Sequence, residues 1–135
     1  MCAKTTSLGK PANARSARAR RPDVQLITAI VRPFKVGPIC EALQTFGFRG
    51  LTITEASGFG KQRGHTEVYR GSEYTSEFQQ KVKVEIVALD EDVQDMIDVI
   101  CNVAGTGRIG DGKIWVTPVS ALIRIRTKEA GTDAL

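Results

Sequence analysis

Cysteine, histidine, aromatic residues and long apolar runs are all scarce in this chain of 135 residues, and each scarcity removes a class of function. The three cysteines, Cys2, Cys40 and Cys101, form no CxxC pair and do not cluster with the single histidine, His65. No zinc-type ligand set can be built from them, and such usage points to a reducing compartment. No stretch approaches the roughly 18 consecutive apolar residues of a membrane span. His65 sits alone in a polar stretch, and no Ser-His, Cys-His or paired-carboxylate arrangement is legible, so the chain does not read as an enzyme. Aromatic residues make up only 6% of the chain. An RNA-recognition type of ferredoxin-like domain is the alternative reading, but it needs stacking aromatics on central strands, and Trp115 has no counterpart on the other strand candidates.

What is present fits one soluble domain with a core of its own. The net charge of +4 is unevenly placed. Residues 1–22 hold Lys4, Lys10, Arg15, Arg18, Arg20 and Arg21 and no acid, which leaves 13 cations against 15 acids in residues 23–135. A chain-wide argument for nucleic-acid binding therefore fails. The first 22 residues lack an apolar h-region, and their Ala, Arg, Ser and Thr content is that of a transit segment or a plain disordered arm. The simpler arm is adopted here, with a cytoplasmic location. A plastid is the alternative if the segment is a transit remnant.

Val24 to Val31 is rich in β-branched residues and stops at Arg32-Pro33, as a strand does. A helix is expected from an N-cap at Gly37, with Pro38 as its first residue, a stripe of Ile39, Ala42, Leu43 and Phe46, and an end at Gly47. Leu51 to Ala56 alternates as a half-buried strand with a hydroxyl face. Gly58 to Gln80 then shows no apolar periodicity, and a connection of that length is uncommon unless functional or disordered. Lys81 to Ala88 reads as a strand with Val82, Val84 and Ile86 buried and Lys81, Lys83, Glu85 and Val87 on the other face. Asp90, Glu91 and Asp92 start a second helix whose core stripe is Val93, Met96, Ile97, Ile100, Cys101 and Ala104. The strand Ile114 to Thr117 closes a βαββαβ, ferredoxin-like α+β order. A last strand-like run, Leu122 to Thr127, would project Arg124 and Arg126 from one face about 6.6 to 7 Å apart, a spacing suited to successive phosphates.

Gly107 to Lys113, GRIGDGK, nearly spells a phosphate-binding P-loop, but Ile114 stands where a Ser or Thr would hold magnesium, and the order runs from helix to strand. Its unobstructed backbone N–H groups and Lys113 still suit an anion. Anion-binding chemistry therefore accumulates at Lys61, Arg63, Lys81, Lys113, Arg124 and Arg126, with glycines between.

The runs from Gly58 to Glu67, Tyr69 to Tyr74, Lys81 to Ile86, Thr106 to Lys113 and Ile123 to Thr127 resemble, in order and spacing, the nitrogen regulatory PII signalling proteins. The likeness spans residues 24–135. It implies a homotrimer of ferredoxin-like subunits with ATP or ADP in the clefts between them, acting as a nitrogen, carbon and energy sensor. By that likeness the nucleotide is held by Thr52, Gly60, Lys61, Gln62, Val87, Gly110, Asp111, Gly112, Lys113, Arg124, Ile125 and Arg126, with Lys113, Arg124 and Arg126 at the phosphates. It also implies that 2-oxoglutarate chelates a magnesium ion touching ATP and Gln62, that Lys81 pairs with a ligand carboxylate, and that Gly60, Lys61, Gln62, Arg63, Gly64 and Gly110 surround the acid. Tyr74 matches a nucleotidylated tyrosine, Ser72 a phosphorylated serine, and Arg70 an arginine that plugs an ammonium channel. The implied partners are an ammonium transporter, a nucleotidyltransferase and the enzymes or regulators of nitrogen metabolism. The chain departs from the family pattern at Lys61, where arginine is commoner, and at Lys128, where the pattern has glycine.

Overall fold

A computed structural model of the chain describes residues 23–60 and 78–135 in full and residues 66–69 and 72–75 by their backbone. In chain order the elements are β1 (Val24–Val31), α1 (Val36–Phe46), β2 (Thr52–Gly58), β3 (Thr66–Tyr69), β4 (Ser72–Thr75), β5 (Gln79–Leu89), α2 (Val93–Ala104) and β6 (Lys113–Pro118). Strands β2-β5-β1-β6 form one sheet in that order, and each neighbouring pair is antiparallel. Both helices pack on one face of this sheet, the ferredoxin-like α+β arrangement.

The core follows from strand alternation. Ile27, Ala29 and Val31 of β1 meet Val82, Val84, Ile86 and Ala88 of β5 beneath Ile39 and Leu43 of α1 and Met96, Ile100 and Ala104 of α2. Ile27, Leu43 and Ile100 are fully buried, and each such side chain contributes about 1.5 to 3 kcal/mol. β1 and β5 are the central strands, which is why Thr28 of β1 and Lys81 of β5 are also buried on the face turned away from the helices.

The first helix starts earlier than its glycine-proline signal indicates. Pro33 opens a 3-10 turn, Pro33–Lys35, and α1 continues from it, so Pro38 lies inside the first turn. That position tolerates proline because its N–H would have no intrahelical partner. Gly47 ends the helix as expected, at φ 84°, with its N–H on Gln44 O at 3.1 Å and Phe48 N–H on Leu43 O at 3.3 Å. Only the left-handed conformation allows that closure, and glycine enters it without a Cβ penalty.

Four further expectations are corrected. β2 begins at Thr52 and lies at a sheet edge, so Ile53 is 48% exposed instead of half-buried. The second helix likewise emerges from a 3-10 turn, Asp90–Asp92, and its buried stripe is Met96, Ile100 and Ala104, with Val99 and Val103 packed alongside. Cys101 is exposed and so is not a core residue. The span from Gly58 to Gln80 contains an antiparallel hairpin, β3 with β4, in which Tyr69 pairs with Ser72. Pairing between two short polar segments needs no apolar stripe, which is why periodicity did not reveal it.

The largest difference is at the end of the chain. Residues 122–127 form no strand. The backbone turns back on itself through an isolated bridge from Ile123 to Ala130, with Arg124 N–H on Glu129 O at 2.9 Å and Lys128 N–H on Arg124 O at 2.8 Å. Ile123 and Ile125 are 61% and 96% exposed, and the alternating run pairs with neither edge strand, β2 nor β6. The common face proposed for Arg124 and Arg126 is lost with the strand.

Candidate functional site: a glycine loop between two cations

An open cleft of about 470 Å³ lies where β2 ends, β5 begins and the glycine loop leads into β6. Its walls include Gly58, Phe59 and Gly60 on one side, Gln79 and Lys81 below, and Gly110, Gly112 and Lys113 opposite. The Phe59 ring also lines it and stands 5.8 Å from the Phe78 ring, inclined at 51°.

The register of β5 explains the lysines. Lys83 and Glu85 share a strand face and approach to 3.9 Å, so the alternating charges there satisfy each other. Lys81 lies outside that pair, at the cleft end of the strand. Its ammonium donates to the Gly110 carbonyl. The side chain is buried, and burial holds its pKa below the usual lysine range; Arg32 lowers it further and Asp111 pulls it back up. A cation already stripped of water is poised for an anionic ligand, because little solvation remains to be removed on binding.

The glycine loop is held by its own carboxylate. Asp111 accepts hydrogen bonds from Thr106 N–H at 2.8 Å, Gly107 N–H at 3.0 Å and the Thr106 hydroxyl. Arg32 adds a contact from Nε at 3.2 Å. Hydrogen bonds from Thr106, followed by those from Arg32 and Gly107, hold the Asp111 carboxyl far below the usual carboxylate range against a smaller opposing effect of burial. Gly112, at φ 101°, passes so close to β1 that a Cβ there would sit 1.7 Å from Ile30 O. No other residue fits that position.

The expected site residues fall into three places. Gly60, Lys81, Gly110, Gly112 and Lys113 line the cleft, and Asp111 braces its glycine loop. Thr52 and Val87 line a second cleft of about 350 Å³, with Arg49, Glu85 and Leu135. Arg124 is turned to Glu129 at 3.4 Å and to the Leu135 main-chain oxygen at 2.7 Å, a main-chain oxygen that Arg49 also reaches at 3.2 Å. Arg126 is exposed on the same turn, and Ile125 projects outward. Lys61, Gln62, Arg63, Gly64 and Arg70 lie outside the described residues, and Ser72 and Tyr74 are placed on β4 by their backbone alone. Among the described residues no group of three or more His, Cys, Asp and Glu side chains is placed to hold a metal ion.

Sequence reasoning missed Arg32, whose role is set by tertiary structure. Its Nε meets Asp111, and its Nη2 donates to Ile109 O at 2.9 Å. The only local signal was a cation between the apolar run of β1 and Pro33.

The family model described as nitrogen regulatory protein P-II matches residues 24–129, which spans β1, the glycine loop and the C-terminal turn. The chain belongs to the nitrogen regulatory P-II family. A P-II protein of Rhizobium meliloti (strain 1021) is 57% identical over 109 residues, covering 81% of this chain and 97% of that relative. The GlnK nitrogen regulatory protein of Escherichia coli (strain K12) is 47% identical over 112 residues, covering 83% of this chain and all of that protein. Among solved structures, Arabidopsis thaliana PII bound to citrate superposes with a TM-score of 0.69 at 39% identity, covering 84% of this chain and 90% of that one. The match ties this P-II chain to nitrogen regulation and signal transduction, and its named relatives are regulators. No helix among its described residues is long and apolar enough to cross a membrane.

Proposed function

We propose that this P-II chain is a non-enzymatic sensor that binds ATP or ADP and 2-oxoglutarate, and that it reports their balance through the segment between β2 and β5. One observation carries the reading: a buried lysine ammonium and a glycine loop followed by Lys113 face the same cleft, so one anion can be held by a point charge and backbone donors while a carboxylate meets Lys81. The relative whose structure contains citrate holds a small polycarboxylate, which supports a carboxylate in this role.

The separation of the remaining residues supports a homotrimer. Thr52, Val87 and the Arg124 to Arg126 turn do not share a cleft with Lys81 and Lys113, and they would complete a nucleotide site if a second copy supplied them. In that assembly Lys113, Arg124 and Arg126 meet the phosphates, Asp111 fixes the loop beneath them, and Lys61 and Gln62 close over the site. Magnesium would be held by ATP, 2-oxoglutarate and Gln62, supplying the charge that lets two anions occupy one cleft. ADP lacks the terminal phosphate of that arrangement, so the segment from Gly60 to Gly64 takes a different posture with it.

Partners read that posture: an ammonium transporter through Arg70, a nucleotidyltransferase through Tyr74, and enzymes or regulators of nitrogen assimilation. Ser72 is the second modifiable hydroxyl, for phosphorylation. Residues 1–22 form an extension outside the sensing domain, and the cytoplasm is the compartment these ligands and partners fit. Titration of the full chain with ATP in magnesium, with and without 2-oxoglutarate, is the direct test. Tighter ATP binding when the acid is present supports the reading, and no heat of ATP binding under either condition defeats it.

A further inference from the structure

The charges of the chain separate at the point where residues 1–22 join the fold. Those residues lie outside the described part and carry Lys4, Lys10, Arg15, Arg18, Arg20 and Arg21 with no acid. They lead into Asp23, which lines a hollow of about 430 Å³ with Leu89, Asp90, Glu91 and Thr132. The sheet builds this hollow: Val24 of β1 pairs with Leu89 of β5, Asp90 N–H donates to Asp23 O at 2.9 Å, and Gln25 Nε2 donates to Asp90 Oδ1 at 3.1 Å. Among the described residues none of Asp23, Asp90 and Glu91 forms an ion pair. The N-terminal pole of the helical segment that follows supplies about half a unit of positive charge, too little for three carboxylates.

A second, more apolar cleft of about 530 Å³ opens at the same corner. It shares Asp23 and Thr132 with the hollow and is walled by Val24, Val119, Leu122, Ile123 and Ala130, of which Ile123 is 61% exposed. Covalent reach fixes which cations can arrive here. A chain advances at most about 3.6 Å per residue, so the Arg21 Cα lies within about 7 Å of the Asp23 Cα and that of Arg18 within about 18 Å. The alanines between the arginines, Ala17 and Ala19, are small enough to lie along a shallow apolar wall. A polyanion fits this corner worse, because the carboxylates at the point of attachment repel it.

We infer that this corner of the sheet is the docking surface for the chain's own N-terminal segment, with the arginines of residues 15–21 on the Asp23, Asp90 and Glu91 carboxylates and the intervening alanines along the cleft. Attachment on one chain favours this occupant over a free cationic partner, since the tether holds it at an effective concentration in the millimolar range. Neither nucleotide nor 2-oxoglutarate enters into it, so its failure would leave the sensor reading untouched.

The test is limited trypsin cleavage after Arg15 and Arg18 in the full chain, read by mass spectrometry, with synthetic peptides of residues 1–22, substituted alike, as the reference for an undocked segment. In about 0.01 M salt the unsubstituted chain should be cut about fivefold more slowly than its peptide, the effect of two or three exposed ion pairs. In about 1 M salt, where charges are screened beyond about 3 Å, the two rates should converge. Asp23→Asn combined with Glu91→Gln should remove the protection at low salt, and both positions are exposed, so the core is not disturbed. If that variant does not fold, Arg20→Gln combined with Arg21→Gln changes only residues ahead of the described fold and should reduce the protection in the same way. Equal rates for the unsubstituted chain and its peptide at low salt would overturn the inference, and so would protection undiminished in either double variant. Protection that disappears on dilution of the protein would overturn it in favour of docking on a second copy. Slowing that appears only when vesicles containing phosphatidylserine are added would overturn it in favour of a lipid surface.

Discussion

Lys81 and Gly110 are 29 positions apart in the chain, and the ammonium of the first donates to the carbonyl of the second. This bond joins the start of β5 to the middle of the glycine loop, which Arg32 and Asp111 also hold. A carboxylate ligand would share that ammonium, which has three N–H donors, with Gly110 O. Under the proposed function, that shared donor would couple the acid to the nucleotide.

Replacing Lys81 with alanine should weaken 2-oxoglutarate binding by about 10- to 100-fold, the scale of a charge-assisted hydrogen bond worth roughly 1.5 to 3 kcal/mol. ATP affinity should change much less. Undiminished 2-oxoglutarate affinity in calorimetry would refute the assignment. The lowered pKa adds a pH dependence. A group whose charged form is disfavoured in the folded chain loses its proton below the ordinary lysine value of 10.5. Affinity for the acid should therefore fall with rising pH at a lower pH than an ordinary lysine would dictate. Binding on that limb should take up protons, because the carboxylate restores the charged form.

Asp111 behaves in the opposite sense. Its carboxyl is held well below its unfolded value of 3.8, so its contribution to stability is present above 3.8 and disappears as pH falls through the lower folded value. Asp111→Asn should lower the melting temperature at neutral pH, and the gap from the unsubstituted chain should close in strong acid. A gap that stays constant with pH would show that the carboxylate's charge is not what braces the loop.

Gly112→Ala should be among the most damaging single changes. It combines a Cβ 1.7 Å from Ile30 O with a φ of 101° that side-chain-bearing residues avoid. Together these should cost about 3 kcal/mol or more. Chemical denaturation showing a loss under about 1 kcal/mol, the size of an ordinary substitution, would mean that β1 and the loop can move apart.

Lys128 offers a change in the stabilising direction. It is the one non-glycine residue with positive φ among the described residues, at 60°. Lys128→Gly should stabilise the C-terminal turn by about 1 kcal/mol, the usual penalty of that conformation for a residue with a Cβ. The unfolding midpoint in urea should rise, and a fall would show that the lysine side chain compensates for the strain.

Under the proposed function Tyr74→Phe should abolish any nucleotidyl mass shift in protein from nitrogen-starved cells, since the phenol oxygen would be the acceptor. Intact-mass spectrometry that still finds the shift in this variant would move the modification elsewhere.

The chemical character of the site was legible residue by residue, and its assembly was not. Lys81, Lys113 and the glycines stood out because cations beside flexible backbone suit anions wherever they occur. Arg32 did not, because its meaning depends on a loop 77 positions away. The run from Leu122 to Thr127 misled for a related reason. Alternation of isoleucine and arginine records an opportunity to pair, and the folded run instead turns back to bridge Ile123 to Ala130.

Local chemistry in the sequence was enough to determine the βαββαβ order of the main sheet and its two helices, the αL end of α1 at Gly47, and the family to which the chain belongs. Those features depend on short-range sterics, on the period of apolar residues and on contiguous motifs. Tertiary packing alone decided that Lys81 is buried against Gly110, that Cys101 faces solvent, and that Arg32 and Asp111 clamp the glycine loop. Such contacts join residues far apart in the chain, and their energies exist only once the sheet has brought them together.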